Sequence, residues 1–366
     1  MDPRVDKLAR VLLHYSLNLK KGKILKIQGE VVALPLIKAA YAEAVKMGAH
    51  PFVRIIIPDN EEAFLKHASE HQLKFISPLG RLEVNRIDAL LHIWATENSR
   101  YLSSVDPKRQ ARMLKYQTPL KRRFFQRLAK KQVKWVGTQF PTLADAQEAD
   151  MSLADYAEFV YRAGHIHSAD PVRHWKKVNK EQHRLIKILN RVDRLHIQAP
   201  GTDLKLRVKG RPWVNCSGTE NFPDGEIFTS PIENSAQGVV RYSYPATYNG
   251  REVEDVRLEF KKGKVVKETA AKNQDFLTDM LNTDKGGRYL GEVAIGTNYE
   301  IKRFSKNTLF DEKIGGTCHL AVGEGFAESG GKNRSAIHWD MVCDLKKNSE
   351  IKADGKVIYR NGRFMI

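Results

Sequence analysis

Phe52-Val53-Arg54-Ile55-Ile56-Ile57 is the run on which the reading of the first half turns. It is nearly continuously apolar and rich in β-branched residues. A buried strand of a parallel sheet has that composition. Upstream, Val5, Leu8, Leu12 and Tyr15 recur at helical spacing, so residues 3–18 read as an amphipathic helix with Pro3 in its first turn. A short strand is expected at 24–27 and a helix at 33–47, closed by Gly48. Downstream, 87–94 and 133–138 are further strand candidates with helical patterns between them. Strand–helix–strand alternation predicts an N-terminal α/β domain with a mainly parallel sheet.

The texture changes after a polar helical stretch at 170–191. Lys209-Gly210, Asn249-Gly250, Lys262-Gly263, Asp354-Gly355 and Asn361-Gly362 are turn signals, several beside strand-like runs such as 253–260 and 264–268. This predicts a C-terminal mixed α+β domain rich in antiparallel hairpins. The boundary is expected near 190, giving domains 1–190 and 191–366. No tandem repeat or low-complexity segment is present. The 366 residues suffice for two domains. With 42% hydrophobic and 28% charged residues, the chain does not fit a disordered or collagen-like class. Three scattered cysteines (Cys216, Cys318, Cys343) make neither a disulfide framework nor a CxxC zinc site. They suit a reducing compartment. With no apolar stretch of membrane-span or signal-peptide type, a cytoplasmic protein is expected.

The net charge is +18, and much of it is local. Between Pro107 and Ala144 there is no acid, while Lys108, Arg109, Arg112, Lys115, Lys121, Arg122, Arg123, Arg127, Lys130, Lys131 and Lys134 fall there. Tyr116, Phe124 and Phe125 lie among them, which raises a nucleic-acid surface. The plainer reading is a solvated helix with Phe124 and Leu128 toward the core.

Chemistry-bearing residues cluster late. Glu226 follows the turn Asn221-Phe222-Pro223-Asp224-Gly225, and Glu292 sits in Leu290-Gly291-Glu292-Val293. Glu312 and His319 lie in Asp311-Glu312-Lys313-Ile314-Gly315-Gly316-Thr317-Cys318-His319. His338 and Asp340, two apart, share one face if on a strand, a workable ligand pair with apolar neighbours. A buried Asp beside a His needs a cation or hydrogen bonds. On spacing alone such a pair is more often a satisfied polar pair, and Glu226 or Glu292 singly fit a surface. Other combinations carry less. His67 and His71 are four apart on an expected helix but do not make HExxH, and His165/His167 beside Asp170 match no metal motif. Gly323-Glu324-Gly325 with Gly330-Gly331 lacks dinucleotide-loop spacing; a flexible loop from His319 to His338 fits better. No Gly-x-Ser-x-Gly elbow is present, and Cys318 reads as a buried filler.

The ordered phrases Pro-Asp-Gly-Glu-Ile-Phe-Thr-Ser-Pro (223–231), Arg-Tyr-Ser-Tyr-Pro-Ala (241–246), Leu-Gly-Glu (290–292), Asn-Thr-Leu-Phe-Asp-Glu-Lys (307–313), Cys-His-Leu-Ala (318–321) and Asn-Arg-Ser-Ala-Ile-His-Trp-Asp (333–340) give the chain away. It resembles the thermophilic metallo-aminopeptidases over nearly its whole length. The resemblance implies a homodimer acting on peptides with a free N-terminus. It also implies a site in the C-terminal domain, facing the cleft between domains, with two divalent ions (zinc, cobalt or manganese). The implied ligands are Glu226, Glu292, His319, His338 and Asp340, with Glu312 outside them as acid/base. The three ligand carboxylates against two divalent ions leave the centre net positive, able to polarise a carbonyl. An α-amine with a pKa of roughly 7.7–8.0 is partly neutral near pH 7 and able to ligate, which would confine cleavage to the N-terminus. Glu312 lies seven residues before His319, a spacing that fits with two inserted residues. The family tyrosine seven residues after the first histidine is Phe326 here, and the link to His338 looks shorter than in bacterial members. Two other readings stand: a single-iron ring-cleaving dioxygenase using Glu226, His338 and Asp340, and a nucleic-acid-binding protein on an inactive peptidase scaffold.

Overall fold

The computed structural model describes residues 2–248 and 250–366, so Asn249 of the Asn249-Gly250 turn lies outside the described residues. The chain divides into two compact units. The first runs to Val172 and takes up Gly218–Pro223; the second holds Arg173–Ser217 and Asp224–Ile366. The polar helix Pro171–Leu189 therefore belongs almost wholly to the second unit, and the expected crossing near 190 is its far end.

In the first unit a five-stranded parallel sheet runs in the order His50–Ile56, Ile24–Glu30, Ala89–Trp94, Lys134–Gln139, Asn221–Phe222. The alternation seen in the sequence is this sheet. Phe52–Ile57, expected to be buried, is corrected: its strand is the sheet's edge, with exposed and half-buried residues along it. The first helix holds α geometry over Pro3–Arg10 and continues as a π-helix over Val11–Ser16. His67 and His71 do not share a helix. One ends the helix Pro58–His67, and Ser69 caps a new one at Glu70–Lys74 through a capping box. His165 and His167 sit in a turn, with rings stacked 5.8 Å apart.

The basic window forms the helix Pro107–Ala129, whose buried residue is Arg127 rather than Phe124 or Leu128, both half-buried. Four of its arginines pin it to the segment alongside. Arg109 donates to the carbonyls of Leu65 and Ala68, and Arg127 to those of Val84 and Ile87 (both 2.8 Å). Arg112 pairs with Glu70 at 3.2 Å, and Arg123 donates to Asn85 at 2.7 Å. Those charges are spent on packing, which the plainer reading of a solvated helix with Phe124 and Leu128 toward the core does not foresee, while Lys108, Lys115, Lys121, Arg122, Lys130, Lys131 and Lys134 stay exposed.

The second unit is antiparallel. An eight-stranded sheet centred on Arg194–Ala199 and Thr202–Arg207 shares one hydrophobic core with a five-stranded sheet. The smaller sheet runs His338–Asp344, Thr317–Gly323, Leu290–Gly296, Glu226–Thr229, Val214–Cys216. Lys262-Gly263, Asp354-Gly355 and Asn361-Gly362 make the expected hairpin turns, each with φ positive at both residues. Lys209-Gly210 instead joins the two sheets, and the run 253–260 splits into Arg251–Val253 and Arg257–Lys261.

Candidate metal centre

The smaller sheet gives one face to the core: Ile227, Val293, Ile295, Leu320, Val322, Trp339 and Met341. Period-two alternation sends Glu226, His319, His338 and Asp340 to the other face. Glu292 reaches that face by a different route. It is two residues from the core residue Leu290, so strict alternation would bury it in the core. A β-bulge between Leu290 and Glu292 shifts the phase by one and re-aims it. Gly291 makes the bulge feasible, since a Cβ there would stand 2.1 Å from the Glu324 carbonyl oxygen. Ala321 lies between Glu292 and Asp340 in the register, and Ala294 opposes His319. Short side chains thus separate the acids and imidazoles and leave room above the sheet.

Glu226 enters from Gly225, whose φ is +125° and whose Cβ would stand 2.7 Å from that of Asn298. Asn298 holds this approach by donating its side-chain amide to the Asp224 carbonyl at 2.8 Å. Its backbone also pairs with Lys313 and Gly315, at 3.0 and 2.8 Å. That ladder sets Glu312, which caps the short helix Thr308–Asp311, beside Glu226.

All six predicted residues converge. His319 Nε2 lies 3.1 Å from Glu292 Oε1, 3.4 Å from Glu226 Oε2 and 4.0 Å from Asp340 Oδ1. His338 Nε2 lies 3.3 Å from Asp340 Oδ2 and 3.6 Å from Glu292 Oε2. Two donor groups result, each with ligand atoms within 4.8 Å of one another: Glu226, Glu312 and His319; and Glu292, His338 and Asp340. Glu312 is thus within ligand range itself. A third group, Cys216, Asp224 and Glu226, includes a thiol that burial keeps protonated. The single-iron grouping of Glu226 with His338 and Asp340 is not among these, because Glu292 stands with that pair instead.

Sequence reasoning missed Lys313. Its side chain is 2% exposed, and Nζ lies 2.5 Å from Glu312 Oε2 and 3.2 Å from Glu226 Oε1. Its position next to Glu312 was the available signal; nothing marked it as buried. Phe326 is 39% exposed, with its ring centroid 4.5 Å from that of His338 and 5.9 Å from that of Phe228.

The electrostatics call for cations. Burial pulls the His319 imidazole down, but the Glu292 hydrogen bond and the charges of Glu226 and Glu292 outweigh it and push it up to about 9. Burial is likewise overcome at His338, pushed up to about 10 by Asp340 and Glu292. Asp340, despite burial, is held well below the usual carboxylate range by His338. Burial pushes Glu292 up, and pushes Glu312 to about 8 against the Lys313 ammonium. Glu226 Oε2, Asp340 Oδ1 and His319 Nδ1 are buried without a hydrogen bond. Unsatisfied groups of this kind cost about 1–3 kcal/mol each. His338 donates Nδ1–H to the Glu324 carbonyl at 2.8 Å, which aims Nε2 at the acids. Unpaired acid oxygens and an oriented imidazole fit a divalent ion. Mixed imidazole and carboxylate donors suit zinc, cobalt or manganese rather than calcium.

Known proteins resemble the chain over nearly its whole length. The chain is 29% identical to Aminopeptidase 2 of Geobacillus stearothermophilus, over 99% of this chain and 98% of that one. It is 27% identical to Aminopeptidase T of Thermus aquaticus, with the same coverage. The solved structure of wild-type AmpT from Thermus thermophilus superimposes with a TM-score of 0.84 at 25% identity, covering 100% of this chain and 99% of that one. The model of one family, the thermophilic metalloproteases (M29), matches residues 1–364. With that match spanning both units and the metal-type donors gathered on one sheet face, the chain belongs to the thermophilic metalloprotease family and is a peptide-bond hydrolase.

Proposed function

We propose that this chain is a metal-dependent aminopeptidase that releases N-terminal residues from peptides. In this reading Glu226, Glu292, His319, His338 and Asp340 hold two divalent ions, and Glu312 is the general acid/base. The observation that carries it is the meeting of these six side chains, from well-separated segments, in two donor groups that share one sheet face. The names of the full-length relatives support the restriction to N-termini. When bound, such ions supply Lewis acidity and lower the pKa of an attacking water. Glu312, fixed by Lys313 beside Glu226 and His319, takes the water's proton and returns it to the leaving amine. His338, oriented by the Glu324 carbonyl, keeps its Nε2 for the centre. The reading includes a homodimer. It also includes a cytoplasmic setting, consistent with three free thiols at Cys216, Cys318 and Cys343.

The test is release of N-terminal residues from short peptides, followed by mass spectrometry, with matched N-acetylated peptides as controls. A chelator should abolish release, and zinc, cobalt or manganese should restore it. Cleavage that survives the chelator, or that proceeds equally on acetylated peptides, refutes the proposal.

A further inference from the structure

We infer that the Lys313 ammonium makes the two cation positions unequal: the Glu226–Glu312–His319 group binds a divalent ion weakly and the Glu292–His338–Asp340 group binds one tightly. The inference rests on the two-ion reading above and deepens it. Lys313 Nζ contacts both carboxylates of the first group, at 2.5 and 3.2 Å. It takes up one oxygen of each, so a fixed ammonium already offsets the carboxylates of that group. The carboxylates of the second group meet the imidazoles of His319 and His338 instead of an ammonium. Among the described residues, no lysine or arginine pairs with Glu292 or Asp340.

Lys313 cannot easily move aside. Its side chain is 2% exposed. Its backbone N–H donates to the Phe310 carbonyl, and its carbonyl accepts from Asn298 N–H, both at 3.0 Å. Within a buried site, repulsion between a fixed ammonium and an arriving dication is screened far less than in water. An ion in the first group must also share donors that the ammonium already uses. The second ion would then exchange readily, and the fraction of fully loaded protein would follow the free metal concentration.

The experiment is a manganese titration of the metal-free full-length chain, read by calorimetry and by the electron paramagnetic resonance of unbound Mn²⁺. The wild type should bind one ion per chain tightly and a second at least tenfold more weakly. Lys313→Met should close the gap to within threefold without changing the tight phase, and Lys313→Arg should keep it. Two equal sites in the wild type, or a gap that persists in Lys313→Met, overturns the inference and leaves the two-ion reading standing. Absence of any second ion at saturating manganese defeats both. Should Lys313→Met not fold, Glu226→Gln and Asp340→Asn decide the matter. The first should abolish the weak phase and the second the tight phase; the reverse assignment refutes the inference.

Discussion

Gly291→Ala should damage the centre without touching a donor atom. The added Cβ would meet the Glu324 carbonyl oxygen at 2.1 Å, its carbon at 2.6 Å and the Gly323 carbonyl oxygen at 2.6 Å. All three are backbone atoms, so no side-chain rotation relieves the overlap of about an ångström or more. Overpacking of this kind costs about 1–3 kcal/mol, occasionally more. At about 2–4 °C per kcal/mol for a domain of this size, the melting temperature should fall by roughly 2–12 °C. Two donors shift together. Glu292 follows Gly291 directly, and the displaced Glu324 carbonyl is the one that orients His338. Disturbing such supporting contacts typically costs 10–100-fold in metal affinity. The assay pairs differential scanning calorimetry with metal content after dialysis. Gly80→Ala is the control: inside a helix, its Cβ would meet Leu120 Cδ1 at 3.5 Å and Ser77 Cβ at 3.9 Å, both ordinary contacts, so stability should hold or rise. A Gly291→Ala protein with unchanged melting and metal retention would refute the claim that the bulge aims Glu292.

Three further outcomes are expected. Glu312→Gln should lower kcat by roughly 10²–10⁴ even at saturating metal; full activity removes Glu312 from its role. Phe326→Tyr, whose ring lies 4.5 Å from that of His338, should raise kcat more than it changes KM if a hydroxyl there meets the developing oxyanion, and unchanged turnover shows the position idle. Burial, aided by the Lys26 charge, holds His92 below its ordinary 6.5, so the unfolded chain takes up the proton first and stability drops as pH falls below about 6.5. Melting curves at pH 8 and 5 should show a smaller drop for His92→Gln; an equal drop refutes the assignment.

Much of the first unit was legible because a parallel sheet with helical crossovers writes its alternation locally. Its fifth strand was not. Asn221–Phe222 is two residues long and returns from far along the chain to pair with Gly137 and Thr138. No window of sequence contains both partners. The run 52–57 misled for a related reason. Continuous hydrophobicity suits a buried strand, but neighbours decide burial, and this strand has one on only one side. The basic window shows the same limit: arginines satisfied by backbone carbonyls of another segment look in sequence like those left in water.

The centre divides along the same line. His338 and Asp340 were legible as a pair because the strand period of two fixes their common face once a strand is granted. Glu292 was legible as a candidate but not as a neighbour of His319, because its orientation depends on a bulge that reverses what plain alternation predicts. The six residues were joined by resemblance, not by local physics. Lys313 shows what resemblance alone leaves out. Its burial follows from the pairing of Asn298 with Lys313 and Gly315, a long-range feature, and its partners are two acids from different segments. A buried lysine is tolerated only where acids compensate it. The residue is therefore as much a product of the assembled centre as a part of it, and register and long-range contact had to be known before its role became visible.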